Sequence, residues 1–188
     1  MNARPLAGPV SWRRGRHEGA RVIAPRIHFV PLGLADVDTL LAIESSAYEF
    51  PWSRGNFIDS LNAGYLGRKR IDASGAWLGY FIAMPGVQEL HLLNLTVTPQ
   101  HQHRGHARAM LDRLVNEGSA LGAQRVWLEV RVSNERAQEI YRRYGFREVG
   151  LRRGYYPAGA LARENALVMS LELSGADGVP VAHGDGLD

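Results

Sequence analysis

The feature that most constrains this chain is a change of hydrophobic period between Glu89 and Gly122. From Glu89 to Thr98 apolar residues alternate as in a strand, first through Leu90 and Leu92 and then, one residue out of phase, through Leu93, Leu95 and Val97. A one-residue slip sends side chains to the opposite face of a sheet, so a phase change inside one strand predicts a β-bulge. After Pro99 the period becomes helical, with Ala107, Met110, Leu111, Leu114, Gly118 and Leu121 on one stripe and Gly122 as the stop. A bulged strand, a short glycine-containing loop and an amphipathic helix are therefore contiguous. That commits the chain to an arrangement in which helices lie on a sheet.

The junction reads "PQHQHRGHARAML", Pro99 to Leu111. A helix N-terminus presents unpaired backbone N–H groups and a partial positive charge, which together suit a phosphate. Gly105 lets a ligand approach without a Cβ, Ala107 is the next smallest choice, and Arg104 and Arg108 add charge at the rim. The preferred reading is a pyrophosphate cradle, with the bulge leaving strand amides free to pair with an extended ligand. Metal is the rival, because His101, His103 and His106 lie close together; their spacing lacks the i, i+4 pair of a helical zinc site, and the chain has no cysteine to complete one. An exposed polar loop is the third reading of the stretch taken alone.

The rest of the chain fits the same class. "RIHFVPL", "GAWLGYFIAM" and "QRVWLEVRV" read as strands, "ADVDTLLAIESSAY" as a helix, and Ser133 or Asn134 as the cap of a short helix ending near Gly145. Strands near residues 147–152 and 166–173 close the series. The expected fold is α/β (α+β), with a mixed sheet covered by helices. At 188 residues one domain is expected, spanning 26–174. Residues 1–25 read as a basic tail and 175–188 as an acidic, glycine-rich one: the first 26 residues carry net +5 and the last 14 net −3, leaving a nearly neutral body. The pI near 9.5 is thus a property of a tail. The body lacks the charge and aromatic–arginine interleaving of a nucleic-acid binder, so only a weak RNA contact through the arginine-rich tail is entertained. No apolar run approaches the roughly 18 residues of a membrane helix, and no secretory-signal core is apparent, so the expected compartment is the cytoplasm.

Two residues outside the loop carry chemistry. Glu129 interrupts an apolar strand, where a carboxylate is costly unless wet, paired or working; a solvent-facing row of Trp127, Glu129 and Arg131 is the plain alternative. Tyr141 lies on the apolar side of the following helix, either as core or as a phenol at the sheet's end. If the cradle holds the pyrophosphate of a thioester cofactor, Glu129 takes the proton of an α-amine, whose pKa is about 8, directly or through water. Tyr141 then supplies a proton to the departing thiolate. An amide near Leu95 is the candidate oxyanion donor.

At this point the residues resemble the GCN5-related N-acetyltransferase (GNAT) superfamily, whose Q/R-x-x-G-x-G/A motif stands here as Gln102, Gly105 and Ala107. "FPWS", "NLTVTP", "WLEVRVSN", "YRRYGF", "LRRGYYP" and "REN", in order over roughly residues 27–173, are similar more narrowly to the bacterial RimI type, the ribosomal-protein alanine N-acetyltransferases. The resemblance implies a mixed, mostly antiparallel sheet splayed into a V, with helices on both faces and acetyl-coenzyme A between the two central strands. It implies that Leu95, Thr96 and Val97, the loop residues His103, Arg104, Gly105, His106, Ala107 and Arg108, and Asn134 hold the cofactor, with no metal. It makes Glu129 the base and Tyr141 the acid, acting on the N-terminal alanine of the eighteenth small-subunit ribosomal protein by direct attack in a ternary complex. His106 and Ala107 depart from the family's usual aliphatic and glycine. Phe50, Trp52 and Tyr155, in aromatic and proline-containing loop segments, are the expected walls of a peptide slot. The competing readings are an acetyltransferase of another N-terminus or small amine, and a non-catalytic acyl-coenzyme A-binding or ribosome-docking module.

Overall fold

The computed structural model describes residues 27–159 and 162–173; both sequence tails lie outside these residues. The chain runs β1 (His28–Pro31), α1 (Val37–Ala47), α2 (Arg54–Asn62), β2 (Leu66–Ile71), β3 (Trp77–Pro85), β4 (Glu89–Val97), α3 (His106–Ala120), β5 (Arg125–Arg131), α4 (Glu135–Tyr144), β6 (Arg147–Pro157) and β7 (Arg163–Glu172). The strands form one seven-stranded sheet in the order β1-β2-β3-β4-β5-β7-β6. Every neighbouring pair is antiparallel except β4 and β5. No helix among the described residues is long and apolar enough to cross a membrane.

Alternation along β3 divides the core between the two faces. Tyr80 and Ile82 pack with Val37, Leu40 and Ile43 of α1 and Phe57 of α2. Phe81 and Ala83 pack with Met110, Leu111 and Leu114 of α3. Gly79 is the close-approach point of this strand: a Cβ there would lie 2.5 Å from the Thr96 carbonyl oxygen.

The bulge is present, and its position matters. Ile82 pairs with Asn94 and Ala83 with Leu92, so Leu93 is the extra residue on β4. The parallel pairing of β4 with β5 ends at Leu92 and Leu128, although the strands continue to Val97 and Arg131. Beyond that point the two strands diverge and the sheet opens into a V. The elements the sequence reading lacked are α2 and β2. Helix α2 carries a weak apolar stripe but begins with a capping box in which Ser53 and Asn56 satisfy each other's backbone groups. Strand β2, "LGRKRI", hides behind its charges, of which Arg68 is held by Glu117 and Lys69 by Asp36 from flanking elements.

Candidate active site

The cradle is built by backbone. Gly105 takes the left-handed conformation (φ 77°) as the N-cap of α3, a position that favours glycine, and no side chain caps the helix. The N–H groups of its first turn are left to a ligand. A Cβ on Gly105 would meet nothing within 4 Å, so the space above the turn is open. That space is one end of a cavity of about 590 Å3. Of the residues expected there, Leu95, Val97, His103, Gly105, His106, Ala107, Arg108 and Asn134 line it. Arg104 and Thr96 do not. Thr96 turns to the other face of the sheet, where its hydroxyl donates to Asn94 Oδ1 (2.8 Å). Asn134 also caps α4, accepting the Ala137 N–H (3.1 Å).

The edge of β4 faces this cavity. The Thr98 N–H pairs back to Leu78 on β3, whereas the Leu95 carbonyl accepts the Tyr48 hydroxyl (3.4 Å) and the Val97 carbonyl accepts the Gln102 side-chain amide (3.3 Å). In a strand the N–H and C=O of one residue share a side, so the Leu95 and Val97 amides also face the gap. The Leu95 amide is free because β5 has diverged. The bulge, two residues earlier, sets which residues point that way.

A second cavity of about 590 Å3 opens on the α1/α2 face, lined by Phe50, Trp52, Leu93, Glu129, Arg131 and Tyr156 among others. Phe50 and Trp52 stand where expected. Tyr155 does not line it: alternation on β6 turns the next residue, Tyr156, inward, and its hydroxyl donates to the Glu129 carbonyl (3.0 Å). The two cavities share Tyr48, Leu95, Asn134, Ala137 and Tyr141. Glu129 and Tyr141 therefore meet one crevice.

Their environments differ sharply. Burial, followed by the nearby Tyr48 and Tyr156 phenols, pushes the Tyr141 hydroxyl far above its ordinary value, so it stays protonated. The Glu129 side chain is only 4% exposed; Oε2 lies 2.5 Å from His91 Nε2, and Oε1 lies 2.9 Å from Arg152 Nη1 as an ion pair. Oε1 nevertheless has no partner in hydrogen-bonding geometry.

Several residues of the site carry no motif. Tyr48, at the C-terminal end of α1, reads in sequence as part of an apolar stripe, yet its hydroxyl sits where the cavities join, 3.0 Å from Thr96 Oγ1. Burial pushes its pKa up to about 12. Glu44 is 2% exposed and forms the floor of the second cavity, accepting Trp52 N–H (3.1 Å) and Asn94 Nδ2 (3.0 Å) on one oxygen and the Tyr80 hydroxyl on the other. It ties the "FPWS" loop to β3 and β4. Arg136, Ile140, Arg143 and Tyr144 of α4 complete the cofactor-side wall, with Arg136 held by Gln102 Oε1 (3.0 Å). Ile140 and Tyr144, three residues beyond Ala137 and Tyr141, share their side of the helix, and that spacing was the available signal.

Comparison with known proteins agrees with this geometry. The acetyltransferase (GNAT) family matches residues 37–146. The chain is 37% identical to the ribosomal protein bS18 alanine N-acetyltransferase of Haemophilus ducreyi over 73% of its own length and 94% of that protein. It is 35% identical to the Escherichia coli K12 enzyme of the same name, over 76% of this chain and 95% of that one. The crystal structure of the ribosomal-protein-S18-alanine N-acetyltransferase from Escherichia coli superposes with a TM-score of 0.73 at 32% identity, covering 87% of this chain and 99% of that one.

Proposed function

The chain belongs to the GNAT family of acetyltransferases, and on that premise we propose that it transfers the acetyl group of acetyl-coenzyme A to the N-terminal alanine of the eighteenth small-subunit ribosomal protein. The observation that carries the reading is the shared wall of the two cavities. One cavity ends at an uncapped helix N-terminus suited to a diphosphate, the other has Glu44, Glu49 and Glu129 on its lining against the single cation Arg131, and they meet at Leu95 and Tyr141. A carboxylate-rich slot walled by Phe50 and Trp52 suits a cationic chain terminus.

Acetyl-coenzyme A, held by the amides of the α3 mouth and by Leu95 and Val97, supplies the acetyl thioester. Glu129 removes a proton from the substrate ammonium, so that the nitrogen attacks with a lone pair. The Leu95 amide donates to the carbonyl oxygen as negative charge grows on it. Tyr141 acts first as a hydrogen-bond donor to the departing sulfur: a phenol raised above its ordinary value holds its proton more tightly than a thiol, with a reference pKa of about 8.5, does. It passes on a proton only as it receives one from the nitrogen. The amine is the part to test, because the slot that would hold it is built from side chains of several separate elements. Intact-mass analysis of the ribosomal protein after incubation with enzyme and acetyl-coenzyme A is expected to reveal one acetyl group at the N-terminal alanine. Faster acetylation of a polyamine than of an alanine-initiated peptide contradicts the substrate and leaves the acetyl transfer standing.

A further inference from the structure

We propose that His91 and Glu129 work as one proton-accepting pair, in which Glu129 meets the substrate amine and His91 positions the carboxylate and receives the proton from it. The proposal rests on the acetyl-transfer reading and deepens it.

His91 sits on β4, one arm of the V, and Glu129 on β5, the other. His91 pairs in register with Trp127, two residues before Glu129, so all three side chains share the α1/α2 face. The imidazole lies flat on the Trp127 indole, 3.5 Å between centroids and 11° between planes, which fixes its orientation. Nε2 is thereby aimed at Glu129 Oε2 across 2.5 Å. Arg152 comes from β6 to the other oxygen and also packs its guanidinium over Trp127, 5.6 Å from the ring centroid. The carboxylate is held from both sides, and its Oε1 still lacks a hydrogen bond. A buried base with one oxygen fastened to an imidazole and the other beside a guanidinium but outside hydrogen-bonding geometry keeps a lone pair for a proton.

Among the described residues, the groups around the pair leave His91 as the proton-exchanging partner of the Glu129 carboxylate; the Tyr156 hydroxyl of β6 donates to the Glu129 backbone carbonyl instead. Arg152 does not release a proton at physiological pH. Arg131, two residues along β5, is engaged by Glu164 (3.2 Å). Met84 stands opposite His91 on β3, and Glu89 lies two residues back on β4. Glu44 of α1 reaches the same cavity with its oxygens taken by Tyr80, Asn94 and Trp52. A carboxylate in general binds a proton about two pH units more weakly than an imidazole, and an α-ammonium has a reference pKa of about 8. A proton drawn from the amine therefore rests better on an imidazole behind the carboxylate than on the carboxylate itself.

The balance closes. The ammonium loses two protons overall, the nitrogen lone pair forms the C–N bond, and the C–S bond breaks with its electron pair on sulfur. One proton reaches that sulfur through Tyr141. The other passes through Glu129 to His91, which becomes imidazolium and releases the proton to water after product release.

The test is the pH dependence of kcat with a saturating alanine-initiated peptide, for the wild type, His91→Gln and Glu129→Gln. His91→Gln keeps an amide donor near the carboxylate and cannot take a proton. The expected result is a kcat reduced about tenfold or more, with the acidic limb displaced by about two pH units toward acid and an unchanged Kd for acetyl-coenzyme A. A limb that coincides with the wild type, or an unchanged kcat, overturns the pairing. Wild-type rates in Glu129→Gln overturn instead the assignment of the base. If His91→Gln does not fold, nitrogen NMR of the histidine ring in the wild type and in Glu129→Gln decides: the His91 ring-nitrogen resonances are expected to move when the carboxylate is removed, and unmoved resonances refute the coupling.

Discussion

The two cavities that meet at Leu95 are built by different means. The proposed cofactor side takes its polar groups from the backbone of one contiguous stretch, the edge of β4, the turn at Gly105 and the bare first turn of α3, with side chains of α4 as its wall. The substrate side is made of side chains from α1, the α1–α2 loop, β4, β5 and β6, most of them already engaged with one another. Backbone donors exist once the chain adopts the turn, so they tolerate variation in the side chains around them, as His106 and Ala107 in the loop illustrate. A network of buried carboxylates tolerates little, because removing one member leaves several donors without partners.

That contrast predicts where substitutions act. The largest effect is expected from Glu129→Gln: kcat near neutral pH falls by about 10²- to 10⁴-fold while acetyl-coenzyme A binding, measured by calorimetry, stays within about twofold. A comparable loss of cofactor affinity would mean that the two sides are not separable. Next comes Glu44→Ala, which leaves the Tyr80 hydroxyl, the Asn94 amide and the Trp52 N–H without their acceptor. It is expected to destabilise the fold by about 3 kcal/mol in denaturant unfolding, and a change below about 1 kcal/mol would show that water replaces the carboxylate.

On the backbone side, Gly105→Val forces a β-branched residue into left-handed geometry and puts a side chain into the open space above the turn. Acetyl-coenzyme A affinity is expected to fall about tenfold or more, with His103→Ala and Arg108→Ala each doing less. Equal losses for all three would make side chains, not amides, the grip.

The smallest effect concerns His106. Its burial, together with the Arg70, His101 and Arg104 charges, lowers its pKa below the ordinary value, so the unfolded chain binds this proton more tightly than the folded one. Stability therefore rises with pH between the lowered value and about 6.5, is level above that, and is lost on acidification below it. His106→Leu is expected to raise the melting temperature at pH 5.5 by about 2–4 °C and to leave it nearly unchanged at pH 7.5. Parallel pH slopes in the two proteins would remove the effect from His106.

Legibility followed the same division. The phase change at Leu92–Leu93 announced the bulge because a strand's side-chain period is two and any slip is visible. Gly105, Gly122 and Gly145 marked turns that are indeed left-handed, since few other residues adopt that geometry. Strand β2 was illegible because Arg68, Lys69 and Arg70 mask its alternation, and α2 because its nine residues are mostly polar. Tyr155 was named where Tyr156 lines the cavity, because the "GYYP" segment gives no sign of strand phase until β6 pairs with β7. Tyr48 and His91 were passed over for the same reason: nothing near either in sequence records what faces it in space.

From its sequence alone this protein is committed to a bulged strand, a glycine turn and an amphipathic helix in succession, and to a motif series of acetyltransferase type, because contiguous residues set local backbone geometry and expose its period directly. Only the tertiary structure decided that Glu129 lies between His91 and Arg152, that Glu44 underpins the floor of the second cavity, and that Tyr48 stands where the cavities join. Those meetings depend on strand order and on the point at which β4 and β5 part, and both arise from pairings between segments far apart along the chain.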